Sequence, residues 1–416
     1  MTGMPTTELP PPPPQDTSIA LVAVAGLLWP APASVAIARR GDPVPAGHRV
    51  VREHLLVPDS SRPRLVTPAG VPRSAAAITA RRHGSGGLLG RATAGAAAVV
   101  VRSGAADRFV HDRLRVTAPG DAASDDIEKT LSELLGARVV VGIHIGTARV
   151  NRKPVLHAVD ARGRTLAFVK VGHTASARTL VQREAQSLQR LAAHSFDAMN
   201  VPTVLACSSW HGMDLLVLTA LNGRSVRPAL RNLPWAAMSE LAALDGTRTE
   251  RLSGSDLVTR LTALGNGLRT TSLAERYATA LATLASSNAD LLFGAWHGDW
   301  QPFNMAHAHS GRVAVWDWER FATGVPVGFD ALHFLLQVAL LRHNLTPKAH
   351  KEFRSRAAQV AIRAGVAAGS ADVVVAAYVA EIAGRYVALA EGPDGNLLAR
   401  HAHWTLALFE SAVTRL

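Results

Sequence analysis

The stretch WHGDWQPFN at residues 296–304, followed by GRVAVWDWERF at 311–321, restricts the possible folds more than any other part of the chain. It sets His297, Asp299 and Asn304 within nine positions, and Asp317 follows Asn304 by thirteen. The link between them, HAHSGR, is short and polar, and Val313 and Val315 alternate into Asp317. That pattern predicts strand, turn, strand, a hairpin that returns Asp317 close to Asn304. An amide oxygen and a carboxylate together suit a hard cation such as Mg²⁺, which takes few protein ligands and completes its shell with water and phosphates. Asp299, set slightly apart, is then free to accept a hydroxyl proton. One base and two metal ligands is the constellation that phosphoryl transfer requires.

A second anomaly lies upstream. Phe168-Val169-Lys170-Val171 places a lysine inside an apolar strand, in a chain with five lysines against thirty-nine arginines. Burying an ammonium there is costly unless an anion compensates. On the helix expected at 175–194, Leu180, Glu184, Leu188 and Leu191 share one face, so Glu184 is a carboxylate on an apolar stripe. A Lys170–Glu184 ion pair accounts for both.

With these residues in order, the sequence resembles the aminoglycoside phosphotransferase and choline kinase branch of the protein-kinase-like superfamily. HGDWQPFN is similar to that family's HGDxxxxN catalytic loop, VWDWER to its metal-binding segment, and GVPVGFDALHF to the stretch that follows. The resemblance runs from about 137 to 416. It implies an α+β, two-lobed protein-kinase-like fold, with a small antiparallel N-lobe and a helical C-lobe. It also implies an ATP-dependent kinase acting on a hydroxyl of a small molecule, with ATP rather than GTP as donor. Carried over by position, Asp299 is the catalytic base, Asn304 and Asp317 hold Mg²⁺, Lys170 contacts the α/β-phosphates and Glu184 orients it. Leu218 and Ala220, within Leu218–Leu221, flank the adenine, and Asp330 ties down the helix behind the site. The phosphate-covering turn departs from the family's glycine-rich pattern: GIHIGTA supplies only Gly142 and Gly146.

The rest of the chain divides by composition. Residues 1–48 hold a proline-rich start expected to lack order and an uncharged stretch at 18–38. Acids, not bases, precede that stretch, and Pro30 and Pro32 interrupt it, which argues against a signal peptide or a membrane span. Residues 49–120 read as a small α+β extension of unassigned role, 121–221 as the nucleotide-binding lobe and 222–416 as the helical lobe with the acceptor site. A helix is expected after GDAASDD, capped by Ser124 or Asp125.

The net charge of +12 falls largely on residues 1–120, with fourteen arginines, no lysine and seven acids. These arginines are scattered without aromatic interleaving, which disfavours nucleic acid. A single cysteine, Cys207, excludes an intrachain disulfide framework and fits a reducing cytoplasm. Plainer roles also apply: His297 as a loop-fixing hydrogen-bonder, His307 and His309 as solvated turn residues, and some of Trp296, Trp300, Trp316 and Trp318 as core. Residues 331–416 carry nine Lys or Arg, six acids and five His, which leans away from a polycationic acceptor and toward a neutral or anionic, sugar-like one. The competing reading from another class is a non-catalytic nucleotide-binding or regulatory protein that keeps the fold. A kinase anchored to a membrane through residues 18–38 is a third.

Overall fold

A computed structural model describes residues 17–61, 63, 65–80, 97–122, 125–144, 154–269, 271–392 and 395–416. The chain divides into two compact units, residues 1–82 with 91–166, and residues 83–90 with 167–416. The proline-rich start, most of the alanine-rich stretch at 87–102 and Gly146 lie outside the described residues; 97–102 are helical.

In unit 1 the apolar stretch at 18–38 is two elements. Helix α1 (Thr17–Leu28) ends just before Pro30, and strand β1 (Ser34–Arg39) begins after Pro32. The helix buries Leu21, Ala25 and Leu28, and Trp29 meets the ring of His54 edge-on with centroids 5.2 Å apart. Strands β2 (His48–Val57), β3 (Leu65–Pro68), β4 (Asp112–Pro119), β5 (Val140–His144) and β6 (Val155–Val159) join β1 in an antiparallel sheet. Its order is β1-β4-β2-β3-β5-β6. Helices α2 (Pro72–Ala80) and α3 (Ile127–Leu135) are among those that accompany it.

Leu65 pairs with His144 and Val66 with Ile143, so the sheet runs from the 49–120 segment straight into the next one. The division expected at 120/121 therefore falls inside unit 1, because the edge of β3 takes β5 as its partner. The cap of α3 is Asp126, one residue past the expected pair: its carboxylate accepts from Lys129 N at 3.0 Å.

Unit 2 takes up β7 (Thr165–Gly172) from Ala167 onward. Helix α4 (Ala175–Leu191) follows, then β8 (Met199–Asn200), β9 (Val204–Trp210) and β10 (Met213–Leu218). Strand β10 is antiparallel to both β7 and β9 and sets Leu216 opposite Lys170. Short strands β11 (Arg224–Ser225), β12 (Arg248–Arg251), β13 (Asp290–Trp296), β14 (Met305–His307), β15 (Val313–Val315) and β16 (Ala322–Pro326) form two further small sheets, β11-β14-β15-β8 and β12-β13-β16.

The remainder is helical: α5 (Trp235–Ala242), α6 (Asp256–Asn266), α7 (Ser272–Ala285), α8 (Phe329–His343), α9 (Pro347–Arg363), α10 (Ala371–Ala390) and α11 (Gly395–Val413). Antiparallel strands early and helices late are what the α+β class requires. Phe293, Trp296, Phe329, Phe353, Tyr378 and Phe409 lie in the main core of this unit. Among the described residues, one helix, Ala368–Ala390, is long and apolar enough to cross a membrane. It is also the central helix of that core, with Val374 through Gly384 buried without interruption.

Candidate functional site

Strand β7 carries Lys170 inward between Val169 and Val171, and α4 presents Glu184 on its buried face. That face is Ala177, Val181, Glu184, Leu188 and Leu191; Leu180, expected on it, is only half-buried and Val181 takes its place. Lys170 Nζ donates to Glu184 Oε1 at 2.7 Å and Oε2 at 2.6 Å. It also donates to Asp317 Oδ1. Burial works against the ammonium charge, but the Asp317 and Glu184 carboxylates overcome it and hold the lysine pKa above its ordinary value. Glu184 is fully enclosed and takes Trp318 N–H at 3.3 Å as well, whereas the Asp317 side chain is 39% exposed. One buried cation thus spans a sealed carboxylate and an open one.

The hairpin predicted between Asn304 and Asp317 forms. Met305 pairs with Val315 and His307 with Val313, and Trp316 N–H donates to Asn304 O at 3.1 Å. Asp317 itself adopts a left-handed backbone, φ 70° and ψ 54°. The amide of Asn304 donates through Nδ2 to Asp299 O at 2.9 Å and Oδ2 at 3.0 Å, which fixes its orientation. No described residue donates to its Oδ1. Three of the four tryptophans around the motif, Trp296, Trp300 and Trp318, are core residues. His307 and His309 are exposed.

The loop 297–304 is held from behind by hydrogen bonds that leave little freedom. Asp299 N–H donates to His297 Nδ1 at 3.2 Å, so that nitrogen carries no proton, and Nε2–H of the same ring donates to Trp316 O at 3.0 Å. Burial pushes the His297 pKa down to about 4, which keeps this neutral tautomer. Asp330, at the start of α8, accepts from His297 N at 2.8 Å and Gly298 N at 3.3 Å. Burial pushes its pKa up to about 7 despite both donors. Gly298, with φ 81°, must be glycine: a Cβ there would lie 2.2 Å from Arg320 O.

Asp299 is the best-supported carboxylate of the site. Its Oδ1 faces His333 Nε2 at 3.1 Å, and its Oδ2 accepts from Asn304 and from Gln301 Nε2 at 3.1 Å. Burial disfavours its charge, but the His333 hydrogen bond and the charge of Arg320 outweigh that and hold its pKa well below the usual carboxylate range. Tyr378 stands 3.0 Å from His333 Nδ1, and its hydroxyl, whose pKa burial raises far above normal, is the donor there. Sequence reasoning did not single out His333, Gln301, Arg320 or Arg385. The signal for His333 was present: it is the one imidazole on the buried, otherwise apolar middle of α8, three residues after Asp330.

For a divalent metal, the donor set is the unengaged Asn304 Oδ1 and the half-open Asp317 carboxylate, hard oxygens in the number that magnesium takes from protein. The residues fit. Among the described residues no group of three His, Cys, Asp or Glu forms a closed metal cage. Leu218 ends β10 as a buried residue, and Ala220 follows it half-buried. Gly142 belongs to unit 1, where a Cβ would fall 2.5 Å from Ile78 Cγ2, a packing reason for the glycine.

Residues 154–359 match the model of the phosphotransferase enzyme family, a span that contains Lys170, Glu184, Asp299, Asn304, Asp317 and Asp330. Solved structures resemble the chain at low identity. A thermostable mutant of aminoglycoside phosphotransferase APH(4)-Ia, in complex with AMP-PNP and hygromycin B, is 14% identical, with 69% of this chain and 97% of that chain covered and a TM-score of 0.47. Spectinomycin phosphotransferase APH(9)-Ia, with ADP and spectinomycin, is 12% identical over 69% and 96%, TM-score 0.39. A Haemophilus somnus 129PT protein assigned as a fructosamine-3-kinase is 14% identical over 70% and 96%, TM-score 0.37. No curated protein matches the chain. Residues 154–359, just under half of the chain, are thus similar to the phosphotransferase enzyme family.

Proposed function

We propose that the protein transfers the γ-phosphate of ATP to a hydroxyl of a small molecule. The observation that carries this reading is Lys170 clasped between sealed Glu184 and open Asp317. A lysine so placed is oriented from one side and available to phosphate oxygens on the other. Asp299, permanently ionised, accepts the hydrogen bond of the acceptor hydroxyl and aligns its oxygen with the γ-phosphorus. Its low pKa makes it an orienting group first and a proton acceptor only as the new bond forms. The O–P bond to the acceptor forms as the bond to the β-phosphate oxygen breaks, ADP leaves, and the hydroxyl proton departs through Asp299 to solvent. Asn304 and Asp317 would hold Mg²⁺, which when bound offsets the phosphate charge. Lys170 steadies the phosphates, and Leu218 and Ala220 border the base.

The acceptor in this reading is neutral or acidic and sugar-like rather than a polycation. The positive charge that bears on Asp299 comes from Arg320, with Arg385 close by at Gly298 O, and among the described residues no ring of acids surrounds it. The test is a thermal-shift titration with Mg-ATP on wild type and Asp317→Asn. At a hundredfold excess over Kd, wild type gains about 2.7 kcal/mol and the variant loses most of that gain. A wild type that does not respond removes the phosphotransferase reading.

A further inference from the structure

Beside Asp299 the structure assembles more positive charge than it neutralises. Arg320 and Arg385 both flank Gly298, the residue before Asp299. The Arg320 backbone fills the space where a Gly298 side chain would stand, and Arg385 Nη1 donates to Gly298 O at 3.1 Å. Arg385 is partly answered: its Nη2 reaches Glu381 Oε1 at 3.4 Å, and its guanidinium lies 5.6 Å from the centre of the Trp296 ring. Glu381 is shared, since Arg260 Nη2 stands 2.8 Å from its other oxygen. One carboxylate therefore serves two guanidinium groups.

Arg320 has no such partner. Among the described residues no carboxylate lies within ion-pair distance of it, although the residue is half-buried. Asp299 acts on it through charge but makes no hydrogen bond or ion pair with it, its oxygens being engaged by His333, Asn304 and Gln301. The electrostatics agree: burial and then the charge of Arg385 pull the Arg320 pKa down to about 10, against Asp299, Tyr386 and Glu381. A half-buried guanidinium without an anion is costly, and a bound anion removes the cost.

We infer that Arg320, with Arg385 beside it, receives an acidic group of the acceptor, a carboxylate or a phosphate, while Asp299 aligns that acceptor's hydroxyl. This rests on the phosphotransferase reading and narrows its acceptor to acidic, hydroxyl-bearing small molecules. Two arginines behind the base would repel an aminoglycoside and hold an acid in the one register that brings a neighbouring hydroxyl to Asp299.

The test uses the full chain saturated with Mg-AMP-PNP. Sulfate is titrated by thermal shift at fixed ionic strength against wild type, Arg320→Gln and Arg320→Lys. Matched acceptors then distinguish the two anion sources by ADP release with Mg-ATP: glycerate against glycerol and gluconate against glucose for the carboxylate, glucose 6-phosphate against glucose for the phosphate. Sulfate should stabilise wild type and Arg320→Lys, and the response of Arg320→Gln should be about tenfold weaker, the scale of one charge-assisted hydrogen bond. The acidic member of a pair should lead its neutral partner in kcat/KM, and Arg320→Gln should erase that lead. Sulfate responses equal in all three proteins overturn the inference. So does an Arg320→Gln variant that slows acidic and neutral acceptors alike, which would put the arginine on the transferred phosphoryl group. The Mg-AMP-PNP shift itself should persist in Arg320→Gln. Its absence from wild type would remove the phosphotransferase reading and this inference together, whereas its presence without an Arg320-dependent anion effect removes the inference alone.

Discussion

Unit 1 buries Arg113 at 2% exposure and Arg115 at 8%, and both guanidinium groups end on partners within that unit. Arg115 reaches Glu53 Oε1 at 2.6 Å and Asp42 O at 2.8 Å, and Arg113 donates to the carbonyls of Val110 and Asp107. Glu128, also in unit 1, is paired with Arg52 and accepts from Val141 N at 3.0 Å. Unit 2 buries charge as readily but leaves valence over. Lys170 grips a carboxylate that is 39% exposed, Asn304 keeps an oxygen unengaged, and Arg320 meets no carboxylate among the described residues. Neither burial of a charge nor a spare buried N–H marks a site, since Arg52 Nε and Arg113 Nε in unit 1 also lack acceptors; open oxygens beside a buried cation do. Closed networks hold a fold in place, whereas open ones expect something that is not protein.

The sharpest way to break this contrast is to remove one cation from each unit. Arg113→Met and Lys170→Met each leave a buried carboxylate or carbonyl without its partner, and each should cost about 3–5 kcal/mol in denaturant unfolding. Only Lys170→Met should also abolish the Mg-ATP thermal shift. Loss of that shift in Arg113→Met would mean that unit 1 is not merely structural. A smaller effect tests Gly142, which sequence pattern assigns to phosphate contact and packing assigns to Ile78. Gly142→Ala should lower stability by about 1–3 kcal/mol through overpacking, with partial recovery in Gly142→Ala/Ile78→Ala and an intact Mg-ATP response. An unchanged melting temperature with a lost response would return the glycine to the phosphates.

The smallest effect concerns His333. Its hydrogen bond lowers the Asp299 pKa, so His333→Leu should let that pKa rise and move the acid limb of the pH–rate profile to higher pH. The rate at neutral pH should fall about tenfold, as for other supporting partners of a reactive group. A uniform rate loss with an unmoved limb would make His333 a packing residue.

Much of the site was legible because its chemistry leaves local marks. Lys170 in an apolar strand and Glu184 on an apolar stripe each looked wrong alone and right together, and the hairpin between Asn304 and Asp317 followed from alternation and a short polar link. His333, Arg320 and Arg385 were harder. Their meaning lies in contacts across 34, 21 and 87 residues, with Asp299 for the first two and Gly298 for the third, and no period in the sequence reports such distances. That the 49–120 segment shares a sheet with the next one was not legible for a related reason. Strand pairing is non-local, and nothing within EHLLV or PRLVT says that β3 will pair with β5 rather than stop at an edge. The α3 cap slipped by one residue because Asp125 and Asp126 are chemically equal candidates, and the backbone conformation decides between them.

Asp317 holds a backbone geometry that suits glycine or asparagine better than aspartate, at a cost on the order of 1 kcal/mol. The position therefore sets heritable fitness and thermal robustness in opposition. On the phosphotransferase reading, laboratory evolution that selects only for heat resistance would drift toward Gly or Asn there and yield sturdier proteins with a weakened Mg-ATP response. A lineage that keeps aspartate at this turn is one in which the chemistry is still under selection.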